Sequence, residues 1–285
     1  MNYEERDTLG VYRARKGSGQ LIAIAACCLI TACETIQTTQ PAAVDVDRQQ
    51  RVLSFVSEQN MQESAAVAYA EQVAAAQAAG TLNRDRALVG RVKQISERLI
   101  EQTSVFRQDA RGWPWEVNVL TSSELNAYAM PGGKIMVYSG LINELSLSDA
   151  ETAAVIGHEI AHALREHARE RVSSAYGQQL IVSLGAGALG AGDNAIELAD
   201  AIGQVTFQLP HSREQESEAD LIGLELMARA GYDPRAAISV WEKMAAGRSS
   251  GQTPEFLSTH PSDESRLEEL RAQLPTVLPL FEASR

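Results

Sequence analysis

The feature that most constrains this 285-residue chain is the pentapeptide His158-Glu159-Ile160-Ala161-His162, which has the pattern H-E-x-x-H. Residues four positions apart lie on one face of an α-helix, so both imidazoles can reach the same ion. Imidazole nitrogen suits Zn²⁺, and catalytic zinc sites use three protein ligands and leave a fourth position for water. Glu159 lies beside the pair and is the predicted general base for that water. The pentapeptide therefore predicts a helix that carries a catalytic zinc site.

The residues around the pentapeptide support this interpretation. Ser148 and Glu151 have the spacing of a capping box, which predicts that a helix begins there. A wide apolar face follows, typical of a helix that crosses a core; it consists of Ala153, Ala154, Ile156, Ile160, Ala161 and Leu164. The alternative is that two histidines have this spacing by chance. It is disfavoured because an unpaired imidazole on a buried helix is costly.

Composition narrows the classes of partner. The chain carries a formal net charge of −12, which argues against binding to nucleic acid or to an acidic lipid surface. Aromatic residues make up only 5% of the chain and alanine is abundant, so helices are favoured over a β-rich architecture. The expected partners are therefore proteins or peptides, and not nucleic acid.

The first 33 residues have the pattern of a bacterial lipoprotein signal. A basic stretch that ends at Lys16 precedes the apolar residues 21–30, and Ile30-Thr31-Ala32-Cys33 matches a lipoprotein cleavage box. Residues 1–32 are therefore predicted to be a signal peptide, with Cys33 as the lipidated residue. The alternative is an uncleaved membrane anchor, although the apolar run is short for a membrane span.

The segment after Cys33 contains Thr, Gln and Pro residues, a composition that suits a flexible tether. We expect residues 33–50 to form this tether and residues 51–285 to form one folded domain. Glu34 follows the cysteine, which is similar to the permissive case for sorting of lipoproteins to the outer membrane. The predicted location is the bacterial cell envelope, with a lipid anchor in the outer membrane and the domain facing the periplasm.

Helical patterns dominate the rest of the chain, so the predicted fold class is α+β and mainly helical. Residues 51–79 read as a helix that Gly80 stops. Asn83 is the predicted N-cap of the next helix, whose apolar face contains Leu88, Val92, Ile95 and Leu99.

Short strands are predicted just before the H-E-x-x-H helix. Residues 115–120 alternate as a strand, and a Pro-Gly-Gly turn at 131–133 separates two further strands at 126–130 and 134–138. We expect a small antiparallel sheet beside the active-site helix. An edge strand of such a sheet can pair with an extended peptide through its backbone.

A histidine pair needs a third protein ligand, and the acidic segment near residue 216 offers one. Glu216 and Asp220 are four residues apart on one helical face, so Glu216 can bind the metal while Asp220 orients a ligating imidazole. Spacing alone leaves Glu214 and Glu218 as alternatives to Glu216. His167 lies about 140° round the helix from the second histidine of the motif and is poorly aimed.

Three segments in this order resemble one family. Asn126–Gly133 reads N-A-Y-A-M-P-G-G, the H-E-x-x-H pentapeptide follows, and Ser212–Asp220 reads S-R-E-Q-E-S-E-A-D. From about residue 60 to residue 272 the chain resembles the HtpX-type zinc metalloendopeptidases. That family also includes CAAX prenyl endopeptidases and mitochondrial Oma-like peptidases. The resemblance implies a compact, mainly helical gluzincin fold with one Zn²⁺ per chain.

The resemblance also implies roles for individual residues. His158, His162 and Glu216 correspond to zinc ligands, Glu159 to the general base, and Asp220 to the residue that orients a ligand. Arg213 is a candidate for stabilising the oxyanion, with a surface or capping arginine as the alternative.

His260 lies in a polar, Gly/Ser/Thr-rich segment. This composition predicts a loop histidine rather than a core histidine, and Pro261 disfavours helix at His260. The residue is a candidate either for a latch on the zinc or for an oxyanion donor.

Family members of the HtpX and prenyl endopeptidase types span the membrane several times, whereas no span is predicted after the signal here. We therefore expect a short periplasmic lipoprotein endopeptidase that acts on misfolded or unassembled envelope proteins, with outer-membrane assembly or chaperone proteins as possible partners. The alternative from another class is a lipoprotein chaperone or assembly factor with a structural zinc site. A structural site is closed by four ligands and has no use for Glu159.

Overall fold

The computed structural model describes residues 33–186, 194–249, 255–261 and 264–285, and these are mostly helical. The helices are α1 (Glu58–Ala78), α2 (Arg86–Ile100), α3 (Ser139–Glu144), α4 (Asp149–Leu164), α5 (His167–Ala186), α6 (Asn194–Phe207), α7 (Arg213–Arg229), α8 (Ala236–Ser249), α9 (Phe256–Thr259) and α10 (Glu264–Ala283). The strands are β1 (Cys33–Ile36), β2 (Gln50–Leu53), β3 (Glu116–Leu120), β4 (Ala127–Met130) and β5 (Lys134–Tyr138). The α+β, mainly helical fold class is confirmed. The predicted signal peptide, residues 1–32, lies outside the described residues, and no helix within them could cross a membrane.

Helix α4 carries the H-E-x-x-H motif through the core. The predicted capping box is present, because Ser148 Oγ accepts the Glu151 N–H at 3.3 Å and the Glu151 carboxylate accepts the Ser148 N–H at 2.8 Å. Every residue from Glu151 to Leu164 is buried. The motif is therefore held on a helix whose direction and register are fixed by its neighbours.

Helices α4 and α7 cross at two glycines. A Cβ atom added to Gly223 would lie 2.8 Å from the backbone nitrogen of His158, and one added to Gly157 would lie 3.1 Å from the Gly223 carbonyl oxygen. Side chains at either position would push the helices apart. Because these two residues are glycines, the first two turns of α7 can pack against His158 and His162 of α4.

The sheet beside α4 has the predicted strands but a different pairing. The order is β3-β5-β4, with β4 antiparallel to β5 and β3 parallel to β5. The prediction of a wholly antiparallel sheet is therefore wrong. The Gly132–Gly133 turn, with φ of +75° and +79°, makes the β4–β5 hairpin, but β3 lies on the far side of β5. Its outer edge bridges antiparallel to Leu82, a contact distant in sequence.

The second predicted helix begins later than expected. Asp85, and not Asn83, is the N-cap, because its carboxylate accepts the N–H groups of Ala87 and Leu88. Asn83 has φ of 50°, and its side chain instead bonds to Asn118 and to the Val119 N–H of β3, at 2.7 and 2.8 Å. Asn83 is thus part of the contact between this connection and the sheet.

The segment predicted to be a flexible tether is packed against the domain. Strand β1 pairs antiparallel with β2, with Cys33 opposite Leu53. Val44 and Val46 belong to the main hydrophobic core, and the buried carboxylate of Glu225 accepts the Val44 N–H at 2.7 Å. The tether prediction for residues 33–50 is wrong because two apolar residues and a partner on α7 outweigh the polar composition. We call residues 33–53 the N-terminal strap.

Candidate active site

Four buried side chains that can bind a metal converge from three elements. Helix α4 supplies His158 and His162, α7 supplies Glu216, and the end of α9 supplies His260; their ligand atoms all lie within 4.8 Å of one another. Glu216 Oε2 is 3.5 Å from His158 Nε2, and Glu216 Oε1 is 3.4 Å from His162 Nε2. Glu216, the favoured candidate for the third ligand, therefore lies beside the histidine pair.

His260 is buried, with 3% of its surface exposed, so the expectation that its polar segment keeps it out of the core is wrong. Phe256 is fully buried and stacks on the His260 ring with centroids 4.2 Å apart. The His260 N–H donates to the Phe256 carbonyl at 2.9 Å. This apolar anchor one turn earlier places His260 Nδ1 3.0 Å from Glu216 Oε1 and 3.2 Å from His158 Nε2.

Glu159 lies at the boundary between α4 and the sheet. Its Oε2 accepts the Ala129 N–H of β4 at 3.1 Å. Its Oε1 is buried without a hydrogen-bond partner among the described residues, and lies 3.4 Å from His260 Nε2. One carboxylate oxygen is thus fixed by the sheet, and the other is available to a bound molecule.

The two central carboxylates have opposite acid–base properties. Burial raises the pKa of Glu159 above its ordinary value. Burial would do the same to Glu216, but the neighbouring imidazoles of His260 and His158 hold the pKa of Glu216 well below its usual range. Carboxylates whose environments push their pKa values apart are suited to different tasks. Glu216 is suited to be an anionic ligand of a metal, and Glu159 is suited to accept a proton and return it.

Asp220 contacts His158, one of the two motif histidines, but its other partner, Arg266, was not predicted from the sequence. His158 Nδ1 lies 3.0 Å from Asp220 Oδ1, which leaves His158 Nε2 facing the cluster. Arg266 of α10 donates to both Asp220 oxygens at 2.7 and 2.8 Å, and its Nη1 is 2.6 Å from Glu216 Oε2. The guanidinium also lies over the Trp241 ring, at 4.1 Å. The sequence did contain a signal for Arg266, because this residue lies on the same face of the last helix as the apolar Leu270.

Other candidates lie outside the ligand cluster. Glu214 is exposed, and Glu218 is buried but bonds to Arg48, Arg165 and His167 instead. Arg213 is exposed on the first turn of α7 and does not line the cleft beside Glu159. Spacing could not rank these residues, because they share the first turns of one helix.

His211 lines the cleft beside Glu159, together with His162 and His260. It was not predicted from the sequence as a site residue. Its ring centroid is 4.0 Å from that of His162 and 4.9 Å from that of His260. The Arg171 guanidinium lies 2.9 Å from His211 Nε2. The only signal for His211 was its position directly before the Ser212 cap.

The donor set fits zinc. It combines imidazole nitrogens with a carboxylate oxygen, which is the ligand chemistry of catalytic zinc sites. Glu216 Oε2 is buried and makes no well-directed hydrogen bond within the described residues, although Arg266 forms an ion pair with it. Arg266 approaches this oxygen from one side, and the position of the carboxylate beside the two imidazoles also suits it to bind a metal ion.

Comparison with known proteins identifies the family. The profile named Peptidase family M48 matches residues 87–274, about two thirds of the chain. The chain belongs to peptidase family M48. The predicted membership of a zinc metallopeptidase family is thereby confirmed. Members of the family are zinc-dependent, so zinc is the cofactor of this M48 peptidase.

Curated relatives include proteins from mitochondria and from bacteria. The mitochondrial metalloendopeptidase OMA1 of Schizosaccharomyces pombe is 38% identical over 56% of this chain and 47% of its own length. OMA1 of Saccharomyces cerevisiae is 34% identical over 67% of this chain and 56% of its own. The beta-barrel assembly-enhancing protease of Escherichia coli is 27% identical over 70% of this chain and 41% of its own. The M48 chain thus spans about half the length of these relatives.

The buried position of Arg266 predicts a large effect on stability. Replacing Arg266 by Gln leaves Asp220 and Glu216 buried without their cation, so we expect the free energy of unfolding to fall by about 3–5 kcal/mol. The matched control is Arg271→Gln on the same helix. Arg271 pairs with Glu242 where both side chains are about half exposed, and the expected loss is below about 1 kcal/mol. Urea unfolding of the zinc-free proteins measures both losses. Equal small losses would contradict the role of Arg266 as the cation that balances Asp220 and Glu216.

Proposed function

We propose that the metalloendopeptidase activity of this chain depends on zinc held by His158, His162 and Glu216, with Glu159 as the general base. The observation that carries the proposal is the convergence of the three ligand side chains, all buried, beside a carboxylate with one unpaired oxygen. A structural zinc site would not need that carboxylate, so this geometry favours an enzyme over a chaperone with a structural zinc.

The residues of this chain divide the reaction between them. Zinc, when bound, supplies a Lewis acid that lowers the pKa of water and polarises a carbonyl. Glu159 takes the proton of the attacking water on Oε1, while the Ala129 N–H holds Oε2 in place. A carboxyl whose pKa is raised by burial is a better base, and it can then return the proton to the leaving amine. Asp220 and Arg266 hold His158 and Glu216 in their orientations.

The sheet suggests how a peptide substrate binds. Strand β4 is an edge of the described sheet, and its Ala129 lies against Glu159. An extended peptide can add to an edge strand through backbone hydrogen bonds. We propose that the substrate lies along β4, with its scissile bond beside Glu159.

The proposed substrates are misfolded or unassembled proteins of the bacterial envelope, and the proposed location is the periplasmic side of the outer membrane. The lipoprotein cleavage box and the similarity to the Escherichia coli protease support this. Cys33 is exposed and begins β1. A lipid on Cys33 would therefore join the packed N-terminal strap directly, and the domain would lie close to the membrane surface.

The anchor proposal is tested by labelling in a bacterial host. We expect Cys33→Ser to abolish incorporation of radioactive palmitate and to leave the precursor uncleaved. Cys27→Ser and Cys28→Ser are the controls and should leave both processes intact. Labelling that persists in Cys33→Ser would contradict the assignment.

If Glu159 is the general base and not a zinc ligand, a mutation can abolish activity without removing zinc. Glu159→Gln should keep one zinc per chain and lose cleavage of an unfolded protein by at least about 100-fold. Replacing His158, His162 or Glu216 by Ala should remove zinc and activity together, whereas the exposed control Glu214→Ala should keep both. Elemental analysis and a cleavage assay measure the two properties. Full zinc occupancy in Glu216→Ala would move the third ligand to another residue.

We also propose that His260 is a latch on the zinc. Its Nδ1 is close enough to the other donors to complete a four-ligand set, and a closed set leaves no position for water. Opening the α9 segment would then be a gating step. The alternative is an oxyanion donor, which the 3.4 Å distance from His260 Nε2 to Glu159 also allows.

The two roles of His260 predict opposite changes in activity. Removing a latch raises turnover, whereas removing an oxyanion donor lowers it by about 100-fold or more. We expect His260→Ala to raise the turnover of an unfolded protein at unchanged zinc content. A large loss would support the donor role, and unchanged turnover would discard both.

A further inference from the structure

His162 has a second ring nitrogen that points away from the ligand cluster. Its Nε2 faces Glu216 at 3.4 Å. Its Nδ1 lies 2.7 Å from Nδ1 of His167, which is fully buried at the start of α5. The prediction that His167 lies about 140° round the same helix from His162 is wrong, because α4 ends at Leu164 and His167 begins a new helix. His167 contacts His162 directly.

The proton positions in this contact follow from the chemistry. A nitrogen that binds a metal must be unprotonated, so a ligating His162 carries its proton on Nδ1. His167 Nδ1 must then accept that proton in a hydrogen bond, and the proton of a neutral His167 must be on Nε2. His167 Nε2 lies 3.0 Å from Glu218 Oε2 and donates to it. One arrangement of protons satisfies all three groups.

Glu218 is fixed in the form that accepts this bond. Three donors surround its buried carboxylate, namely His167 Nε2, the Arg48 guanidinium and the Arg165 guanidinium, so its oxygens act as acceptors. The Arg165 guanidinium is fully buried and donates to Glu218 Oε2 at 2.8 Å. The opposite His167 tautomer would turn a lone pair toward this carboxylate, and it would force the His162 proton onto Nε2, where it blocks the metal.

The two histidine ligands are thus supported differently. His158 bonds directly to the carboxylate of Asp220, as ligating histidines commonly do. His162 reaches its carboxylate through a second imidazole. We propose that His167 and Glu218 are positioning residues, which form a hydrogen-bonded relay that holds His162 in the tautomer whose Nε2 binds zinc.

The relay also connects the zinc centre to the N-terminal strap. Arg48 of the strap donates to both oxygens of Glu218. Arg165 donates to Thr39 Oγ1 at 3.0 Å and to the Arg48 carbonyl at 2.6 Å. The strap therefore fixes the far end of the relay, so its packing contributes to the geometry of His162.

The inference rests on the proposed ligand role of His162, and zinc affinity tests it without substrate. His167→Leu removes the acceptor and should weaken zinc binding by about 10–100-fold, measured by competition with a chelator of known affinity. His167→Asn is nearly the same size as the leucine variant and restores an acceptor oxygen near the position of Nδ1. It should recover most of the lost affinity.

A matched pair on α7 separates positioning from general stability. Glu218 and Glu225 are both buried and both bind the strap, but Glu225 is not in contact with the metal cluster. Glu218→Ala should weaken zinc binding about as much as His167→Leu. Glu225→Ala should lower the thermal stability of the zinc-free protein and change zinc affinity much less than Glu218→Ala, because Arg48 and Arg165 still hold Glu218. This pair carries the test if His167→Leu does not fold.

Nitrogen-15 spectra of histidine-labelled, zinc-loaded protein provide a direct readout. We expect the proton on Nδ1 in His162 and on Nε2 in His167. A proton on His167 Nδ1, equal affinities of His167→Leu and wild type, or equal losses in the leucine and asparagine variants would overturn the relay. A wild-type chain that binds no zinc at His162 would instead overturn the proposed function.

Discussion

The close crossing of α4 and α7 is the contact on which the rest of the site depends. Neither helix alone can hold a catalytic zinc, because α4 offers two imidazoles and α7 offers carboxylates. Gly157 and Gly223 let the backbones approach so closely that Glu216 and Asp220 both reach the histidines. The buried charges are then balanced by Arg266 from a third helix, since a carboxylate pair at this depth needs a cation.

A second group of charges surrounds the site on the side of the N-terminal strap. Glu170 and Glu218 are matched by Arg48 and Arg165, and Glu225 binds the strap backbone. Removing one member of such a network is costly, because the remaining charges stay buried. The strap is thus an integral part of the folded domain. It connects Cys33, the first residue of β1, to the residues that surround the proposed zinc ligands.

The sequence predicted what local spacing determines. In the capping box, the histidine pair and the Glu216–Asp220 pair, the two members are three or four positions apart, and helical geometry alone relates them. What it missed depends on contacts distant in the chain: the β3–β5 pairing, the packed strap, and the positions of Arg266 and His260. His260 was predicted to be a loop residue outside the core, but the stacking of its ring on the buried Phe256 holds it inside despite the polar residues around it. Helical spacing predicted that His167 is poorly aimed, but it assumed one continuous helix, whereas α4 ends at Leu164 and the turn before α5 brings His167 against His162.

The proposed zinc site lies where α4, α7 and the α9 segment meet. Anomalous X-ray scattering at the zinc edge, from crystals of the zinc-loaded protein, tests it most directly. We expect one anomalous peak per chain, within bonding distance of His158 Nε2, His162 Nε2 and the Glu216 carboxylate. A peak bound instead by His167 and His211, or by Glu218, would contradict it.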